Sequence, residues 1–432
     1  MSEAILQRSF VDSENRFTEK KKYNKLDVYR HRGVIPLRLI DPIFPSPDMN
    51  HPSLLYSAHS VWYKATTVQS VDGKLYSYFD GTKKAVFEFD PKTHPTRRMM
   101  LKFEFGAPSA NTLCEYPAIS TVKDVLVKHG KEEIHNFEDY PLVYKANLST
   151  KSTDDQQAIL QNAGGVPAAT TAASGVSELI IFWSPHIHNH RENVYTRPLV
   201  VSDRCKSNIR VEVTLQPYDY FFNTSGGAGD TGVLTSLELY YEAIVTHTPS
   251  HFRHQSMIYG FPYKSVDYQT LNAYTAVATA TDVTVDLSTL QGIIKAYWFM
   301  DLLTTKVTTT RNILDTDSAL TKLYLTFNGH KFEDEITGNA AIRHRDYMQY
   351  CNVAVPYISA AQKTLQPAHV ITFSLTGAGK DVTSYLGGHN MTGNTVTKAI
   401  VRQASGSAHS VNVVAVKHAK YIYEGEVFKK FL

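Results

Sequence analysis

The chain has 432 residues, a length that usually divides into more than one hydrophobic core, so two domains are the starting expectation. Its 44 Lys and Arg residues nearly balance its 41 Asp and Glu residues, which gives a net charge of +3. This balance excludes a protein whose overall field attracts nucleic acid, so any contact with a polyanion has to be local.

The cysteines and the apolar runs indicate the compartment in which the chain folds. Cys114, Cys205 and Cys351 lie far apart, form no CxxC pair and cannot all be joined in disulfides, which fits a reducing compartment. The longest apolar run, within residues 176–183, is too short to span a bilayer. The polar N-terminus lacks the apolar core of a signal peptide. We therefore expect a soluble chain that is not exported by the standard route.

Residues 1–54 are predicted to form an N-terminal arm and a proline-rich lead-in. Four prolines within residues 41–53 exclude regular structure there. The arm carries a basic cluster at Lys20, Lys21, Lys22 and Lys25. Two interpretations of this cluster stay open. It is either a solvated chain terminus or an arm that contacts a partner, a membrane surface or nucleic acid through counterion release.

Residues 55–248 show the pattern of an antiparallel all-β unit. The chain contains 26 Tyr and 20 Phe residues, which favour pleated structure. Short runs such as AVFEF and MMLKFEF are separated by turns too short for crossover helices. Residues 147–177 are rich in Ala, Ser, Thr and Gly and are predicted to form an exposed loop insert. The strand LELYYEAIV, at 237–245, closes the unit.

The second half repeats this order of strands, a longer irregular excursion and a closing strand. Residues 249–275 are predicted to be a connector, and residues 276–432 hold the second set of strands. About eight short strands per half suit jelly rolls. The expected fold class is therefore all-β, with two tandem eight-stranded antiparallel jelly rolls and a few short helices in the connections.

One histidine cluster could carry chemistry. His186, His188 and Glu192 reproduce the HxHxxxE spacing with which cupins bind a divalent metal, and on a strand the two histidines would share a face. The glycines that the cupin pattern requires are replaced by Ile180 and Leu199, and its second motif is not visible. A polar loop is the preferred interpretation, and a bicupin-like metal enzyme stays as an alternative.

Other catalytic signatures are missing from the sequence. It contains no GxSxG nucleophile elbow, no complete phosphate loop and no GxGxxG turn between strand and helix, so we predict no catalytic residue and no cofactor. Sequons at Asn147, Asn223 and Asn390 matter only if the chain enters the secretory route. A β-sandwich module for carbohydrate binding or adhesion is a third functional class that fits the strand pattern.

Four stretches of the second half, in order, resemble the C-terminal jelly roll of the double jelly-roll major capsid proteins. They are IIKAYWFMD at 293–301, LYLTFNGHKFEDE at 323–335, VITFSL with GGHNMTGN at 370–375 and 387–394, and the closing stretch at 411–432. LELYYEAIV and the aromatic connector behind it resemble the strand that closes the first roll. This lineage includes adenovirus, membrane-containing tailless phages, nucleocytoplasmic large DNA viruses and polinton-like elements. The sequence departs from its pattern at residues 249–251 and at Leu386.

The resemblance implies a structural, non-enzymatic protein of the virion, assembled inside the host cell. It implies a homotrimer with a pseudo-hexagonal outline that tiles an icosahedral shell. Implied partners are neighbouring trimers, penton and minor capsid proteins, and an internal membrane or the genome beneath the basic arm. Obligate interfaces usually bury more than about 2,000 Å² and need apolar patches. The subunit-contact candidates are Tyr240, Tyr241, Phe252, Tyr259, Phe261 and Tyr263.

Overall fold

A computed structural model gives the fold of a little under half of the chain, and the description that follows concerns these parts alone. The described residues are 59–70, 83–91, 96–106, 113–114, 117–148, 175–181, 207–222, 233–245, 263–275, 282–303, 320–331, 336–337, 370–375, 388–391, 396–403, 409–424 and 427–431. About three quarters of them lie in antiparallel β-sheets, which confirms the predicted all-β fold class.

The first half forms two sheets from nine strands. The strands are β1 (His59–Lys64), β2 (Thr66–Gln69), β3 (Lys83–Phe89), β4 (Thr96–Phe105), β5 (Val122–His129), β6 (Glu132–Phe137), β7 (Gly175–Ile181), β8 (Ile209–Leu215) and β9 (Leu234–Val245). One sheet has the order β1-β9-β4-β7, and the other has the order β2-β3-β8-β5-β6. Helices α1 (Pro117–Thr121) and α2 (Tyr140–Leu148) and a 3-10 helix (Tyr218–Phe221) lie in the connections.

The second half forms two further sheets. Its strands are β10 (Tyr263–Thr275), β11 (Asp282–Asp286), β12 (Gly292–Leu303), β13 (Leu320–Phe327), β14 (His330–Lys331), β15 (Ile336–Thr337), β16 (Val370–Ser374), β17 (His389–Met391), β18 (Thr397–Gln403), β19 (His409–Glu424) and β20 (Val427–Phe431). One sheet has the order β10-β19-β12-β16, with β17 paired to β12 and β20 paired to β19. The other has the order β11-β18-β13-β14, with β15 paired to β13.

The two halves have the same strand order. In each, the first strand pairs with the long closing strand, β9 or β19, and the closing strand pairs with a central strand, as in β1-β9-β4-β7 and β10-β19-β12-β16. The remaining strands also correspond, because β3-β8-β5-β6 matches β11-β18-β13-β14. Most sequential strands thus lie in alternate sheets, although the hairpins β5-β6 and β13-β14 each stay within one sheet, and this is the arrangement of a jelly roll. The chain contains two such rolls in tandem.

Alternation along each strand builds the cores between the sheets. In β8, Ile209, Val211, Val213 and Leu215 are buried and pack into the first roll, while Arg210 points outward. Tyr297, Phe299, Leu323 and Val413 belong to the corresponding core of the second roll. Both cores therefore follow from the period-two pattern of apolar residues.

The Asn-Gly turn of the second roll forms as the sequence predicts. Asn328 and Gly329 connect β13 to β14 in a two-residue hairpin, with φ angles of 49° and 84°. Two consecutive positive φ angles define a type I′ turn, which asparagine and glycine adopt with little strain. The amide of Val396 also donates to the side-chain oxygen of Asn328 at 2.8 Å, so the turn is held to the next segment.

Two features differ from the sequence expectations. Residues 263–275, which the sequence assigns to the connector, form β10 and pair along their length with β19, so they belong to a sheet of the second roll. Helix α2 has no counterpart in the predicted elements, because its buried residues 140–146 give no amphipathic stripe. Within the described residues, no helix combines the length and apolar character needed to cross a bilayer.

Candidate functional site

The two rolls meet along a boundary where an edge of the first roll packs on a sheet face of the second. The first roll contributes β6 and α2, which follow each other in the chain. The second roll contributes β10, β19 and β20. Because α2 is buried on all sides along residues 140–146, it can contact both its own sheet, through β5, and the other roll. We call this contact the roll boundary.

Aromatic rings form the apolar centre of the roll boundary. The ring centroid of Phe137, at the end of β6, lies 6.2 Å from that of Tyr268 in β10. Tyr268 in turn lies 6.0 Å from the ring of Trp298 in β12. Trp298 is fully buried and belongs to the same apolar cluster as the core of the first roll. The outward side of the second roll's sheet is therefore continuous with the first roll's interior.

Polar contacts fix how the two rolls align. Nδ1 of the fully buried His135 lies 3.0 Å from Oδ1 of Asp267, which is also buried. The hydroxyl of Thr270 donates a hydrogen bond to the carbonyl oxygen of Glu138 at 3.1 Å. A shift of one roll along the other would leave a buried carboxylate without its partner, at a cost of several kcal/mol. These links specify the register of the roll boundary.

A polar groove of about 360 Å³ lies beside these links. Its lining comprises Asn136, Glu138, Asp267, Tyr268, Gln269, Thr270, Thr289, Gln291 and Lys417. The ammonium group of Lys417 donates to the side-chain oxygen of Gln269 at 2.7 Å. A lining made mostly of amides, hydroxyls and charges suits a hydrated contact between protein surfaces better than a small-molecule pocket, which is mostly apolar.

The first roll carries a second surface that faces away from its core, on the sheet β1-β9-β4-β7. We call it the outer face of the first roll. Its outward-pointing residues are Trp62, Lys64, Arg98, Met100, Lys102, Glu238, Tyr240 and Glu242. Arg98 donates to both carboxylate oxygens of Glu242, from Nε at 2.5 Å and from Nη2 at 3.1 Å. Such a two-point contact holds the guanidinium group in one orientation.

Cations and aromatic rings are interleaved on this outer face. The guanidinium carbon of Arg98 lies 5.8 Å from the centre of the Trp62 ring, and Nζ of Lys102 lies 5.9 Å from that of Tyr240. Lys64 forms an ion pair with Glu238, and this hydrogen bond holds the pKa of the Glu238 carboxyl below its usual range. Ion pairs and cation–π contacts thus hold the charged side chains of the outer face in place before any partner binds.

A separate ionic cluster lies on the other sheet of the first roll, around the buried carboxylate of Glu212. Lys84 and Lys128 form ion pairs with it, and Nε of Arg210 donates to it at 3.0 Å. Burial acts to raise the pKa of Glu212, but the hydrogen bonds from Lys84 and Lys128 outweigh this effect and hold that pKa below its ordinary value. The cluster ties β3, β5 and β8 together.

The predicted subunit-contact residues fall into different environments. The Tyr240 side chain is on the outer face of the first roll, whereas the Tyr241 ring points inward and stacks on Phe89 at 4.2 Å between centroids. Tyr263 is the first residue of β10 and pairs with Tyr421. Phe252, Tyr259 and Phe261 lie outside the described residues. A role of these residues in subunit contact stays a prediction.

The alternative metal cluster falls outside the part of the chain that the structure describes. His186, His188 and Glu192 all lie outside the described residues. The basic arm and most of the insert at 147–177 lie outside them as well. Among the described residues, no group of three or more His, Cys, Asp or Glu side chains could hold a metal ion.

Sequence reasoning missed the residues that form the roll boundary. No sequence pattern distinguishes Phe137, His135 or Tyr268, and Trp298 belongs to the family-like stretch at 293–301. A signal for Trp298 exists, since the run AYWFM in β12 is apolar on both sides of the strand and all five residues are fully buried. A strand that is apolar on both faces needs cover on both faces. That pattern indicates that something packs on the outside of the second roll.

No protein-family model and no curated protein matches the sequence. Solved structures do match the fold. A chain of the PBCV-1 virus capsid is 13% identical, with a TM-score of 0.61, over 87% of this chain and 97% of that chain. The Faustovirus major capsid protein is 8% identical, with a TM-score of 0.54, over 97% of this chain and 98% of that chain. A chain from the Sputnik virophage structure is 11% identical, with a TM-score of 0.51, over 87% and 88% of the two chains. The chain therefore has the double jelly-roll fold of these viral capsid proteins.

Proposed function

We propose that this chain is a major capsid protein whose trimers, pseudo-hexagonal in outline, tile an icosahedral virus shell. The observation that carries the proposal is the repeated roll. Two rolls with the same strand order are joined edge to face within one chain, so three chains would supply six similar lobes. The overlap with capsid proteins over nearly their whole length supports the same function. In this proposal the protein works by forming surfaces and catalyses no reaction.

The proposal includes a division of the chain. Residues 1–54 form an arm, and the first roll extends to about residue 248. The exposed insert on this roll is shorter than residues 147–177, because α2 extends to Leu148 and β7 begins at Gly175. The connector is shorter than residues 249–275, because β10 already occupies residues 263–275. We further propose that the protein is located in the virion. There its partners are neighbouring trimers, penton and minor capsid proteins, and a membrane or genome reached by Lys20, Lys21, Lys22 and Lys25.

Static light scattering of the purified full-length chain tests the proposal. A trimer is expected at micromolar concentration, because a shell-forming subunit depends on a large, stable interface. A chain that stays monomeric under these conditions contradicts the proposed function.

A further inference from the structure

We propose that the outer face of the first roll binds a second copy of this chain, at the β13-β14 edge of that copy's second roll. The proposal rests on the proposed function and specifies which surfaces hold the trimer together. It concerns residues of β1, β4 and β9 on one chain and of β13 and β14 on the next.

The outer face occupies the same place in the first roll that the covered face occupies in the second. In the first roll, Tyr240 of β9 lies between Lys64 of β1 and Met100 of β4. In the second roll, Val416 of β19 lies in the same way between Tyr268 of β10 and Ala296 of β12. Each set of three paired residues runs across the first strand, the closing strand and a central strand of its sheet, and the two sheets have equivalent strand orders. The two faces are therefore structural counterparts.

Burial separates these two counterparts within a single chain. Ala296, Trp298, Val414 and Val416 are fully buried, because the first roll covers them at the roll boundary. On the outer face, by contrast, Trp62 is 40% exposed and the side chain of Lys64 is 52% exposed. The surface that the first roll covers in the second roll is thus exposed at Trp62 and Lys64 in the first roll. The other residues of the outer face are half-buried, apart from Glu242, which is buried beneath Arg98.

The composition of the outer face fits a protein interface. Protein interfaces are enriched in Trp, Tyr, Met and Arg, and Trp, Tyr and Arg contribute most to binding free energy. Trp62, Arg98, Met100 and Tyr240 supply all four types on three adjacent strands. The ion pair of Arg98 with Glu242 already fixes the arginine, so a partner would immobilise fewer flexible groups on binding.

The partner edge follows from the same correspondence. Within the chain, β6 at the end of its sheet meets the second roll, and β14 holds the matching place in the second roll's sheet order. Near β14, the ammonium groups of Lys331 and Lys322 lie 4.9 Å and 5.3 Å from the ring centre of Tyr324. Each chain then offers one face and one edge to different neighbours. A head-to-tail contact of this kind forms a ring when the rotation between successive chains closes, and in the proposed trimer three chains place six rolls in that ring.

The test replaces Trp62 by glutamate and measures trimer dissociation of the full-length chain by mass photometry and sedimentation equilibrium. We expect Trp62→Glu to raise the dissociation constant of the trimer at least about 30-fold relative to the wild type, because it removes a central interface side chain. Val68→Glu is the matched control. Val68 is 53% exposed on β2, in the first roll's other sheet, and its replacement should leave dissociation unchanged.

Hydroxyl-radical footprinting of the wild-type chain gives a second readout that needs no variant. Oxidation of Trp62 should fall when the chain is concentrated from monomer into trimer. Suppose that the wild-type chain is a trimer, that the Trp62→Glu variant dissociates no more readily than the wild type, and that oxidation of Trp62 stays constant on concentration. This result overturns the assigned surface but not the trimer. A wild-type chain that is monomeric at every concentration overturns both this surface and the proposed function.

Discussion

At Gly388 the backbone has a φ of 111°, a conformation that side chains other than that of glycine rarely adopt. The position is also crowded. A Cβ atom there would lie 3.0 Å from Cγ2 of Ile293 and 3.1 Å from the carbonyl oxygen of Ile294. Gly388 directly precedes β17, which pairs with the start of β12. The Gly-x-Asn motif at 388–390 is thus explained by how closely two backbones approach.

We predict that Gly388→Ala lowers the free energy of unfolding by about 2–4 kcal/mol, from backbone strain together with steric overlap. Gly329→Ala is the matched control, since Gly329 also has a positive φ, 84°, but has nothing within 4 Å of an added Cβ. Its loss should be smaller, about 1 kcal/mol. Guanidinium denaturation measures both, and equal losses at the two positions would contradict the role assigned to crowding.

Glu212 should make stability depend on acid pH. Its folded pKa lies below its ordinary value near 4.5, so the folded chain favours the ionised carboxylate. The resulting stabilisation is fully present above the unfolded pKa and is lost as the pH falls through the lower folded pKa. We predict that Glu212→Gln costs about 1–2 kcal/mol at pH 7 and flattens the decline of the unfolding free energy between about pH 5 and pH 3.

The exposed carboxylate of Glu133, on β6 of the same sheet, provides the comparison for this prediction. Glu133→Gln should leave the unfolding free energy at pH 7 within about 0.5 kcal/mol of the wild type. If Glu212→Gln is equally neutral and keeps the wild-type pH profile, the ionic cluster around Glu212 does not stabilise the roll.

Among single elements, the sequence predicts those turns and strands whose conformation depends on their own residues. Asn328 and Gly329 specify a two-residue hairpin by their own backbone preferences, and the hairpin is present. The closing strand LELYYEAIV is also found, as part of β9 between β1 and β4. Alternation of apolar and polar residues along β8 is enough to identify its buried side.

Elements that depend on distant partners were missed. β10 extends over YKSVDYQTLNAYT and is stabilised by pairing with residues 410–421, far along the chain, so its own pattern is a weak signal. Helix α2 has β-branched and aromatic residues and a proline in its first turn, and it is helical because packing surrounds it. The roll boundary includes both of these elements, so most of its residues carry no local sequence signal.

Trp298 tests the importance of the roll boundary at this scale. Trp298→Ala should lower the unfolding free energy by about 3–5 kcal/mol, because it removes a fully buried indole between two rolls. Trp298→Phe keeps a ring next to Tyr268 and should lose less. In the Trp298→Ala variant, hydrogen exchange should accelerate relative to the wild type more in β6 and β10 than in β3, which lies away from the roll boundary. Uniform acceleration across all strands would contradict a local effect on roll docking.

For the whole molecule, the repeated roll is the feature that connects fold to function. The sequence indicated two similar halves from strand counts and family-like stretches, and the sheet orders confirm that repetition. Strand counting could not show how the halves meet, since the contact joins an edge of one roll to a face of the other. That asymmetry is what allows the contact to be continued from chain to chain instead of ending in a pair.

The solution mass of the wild-type chain tests this account most directly. Light scattering at micromolar concentration should give three times the chain mass of 48.5 kDa, with no stable species of two chains. An edge-to-face contact leaves one face and one edge open in a dimer, so a dimer is not a closed assembly. A mass of one chain or two chains that persists across the concentration range would contradict the account.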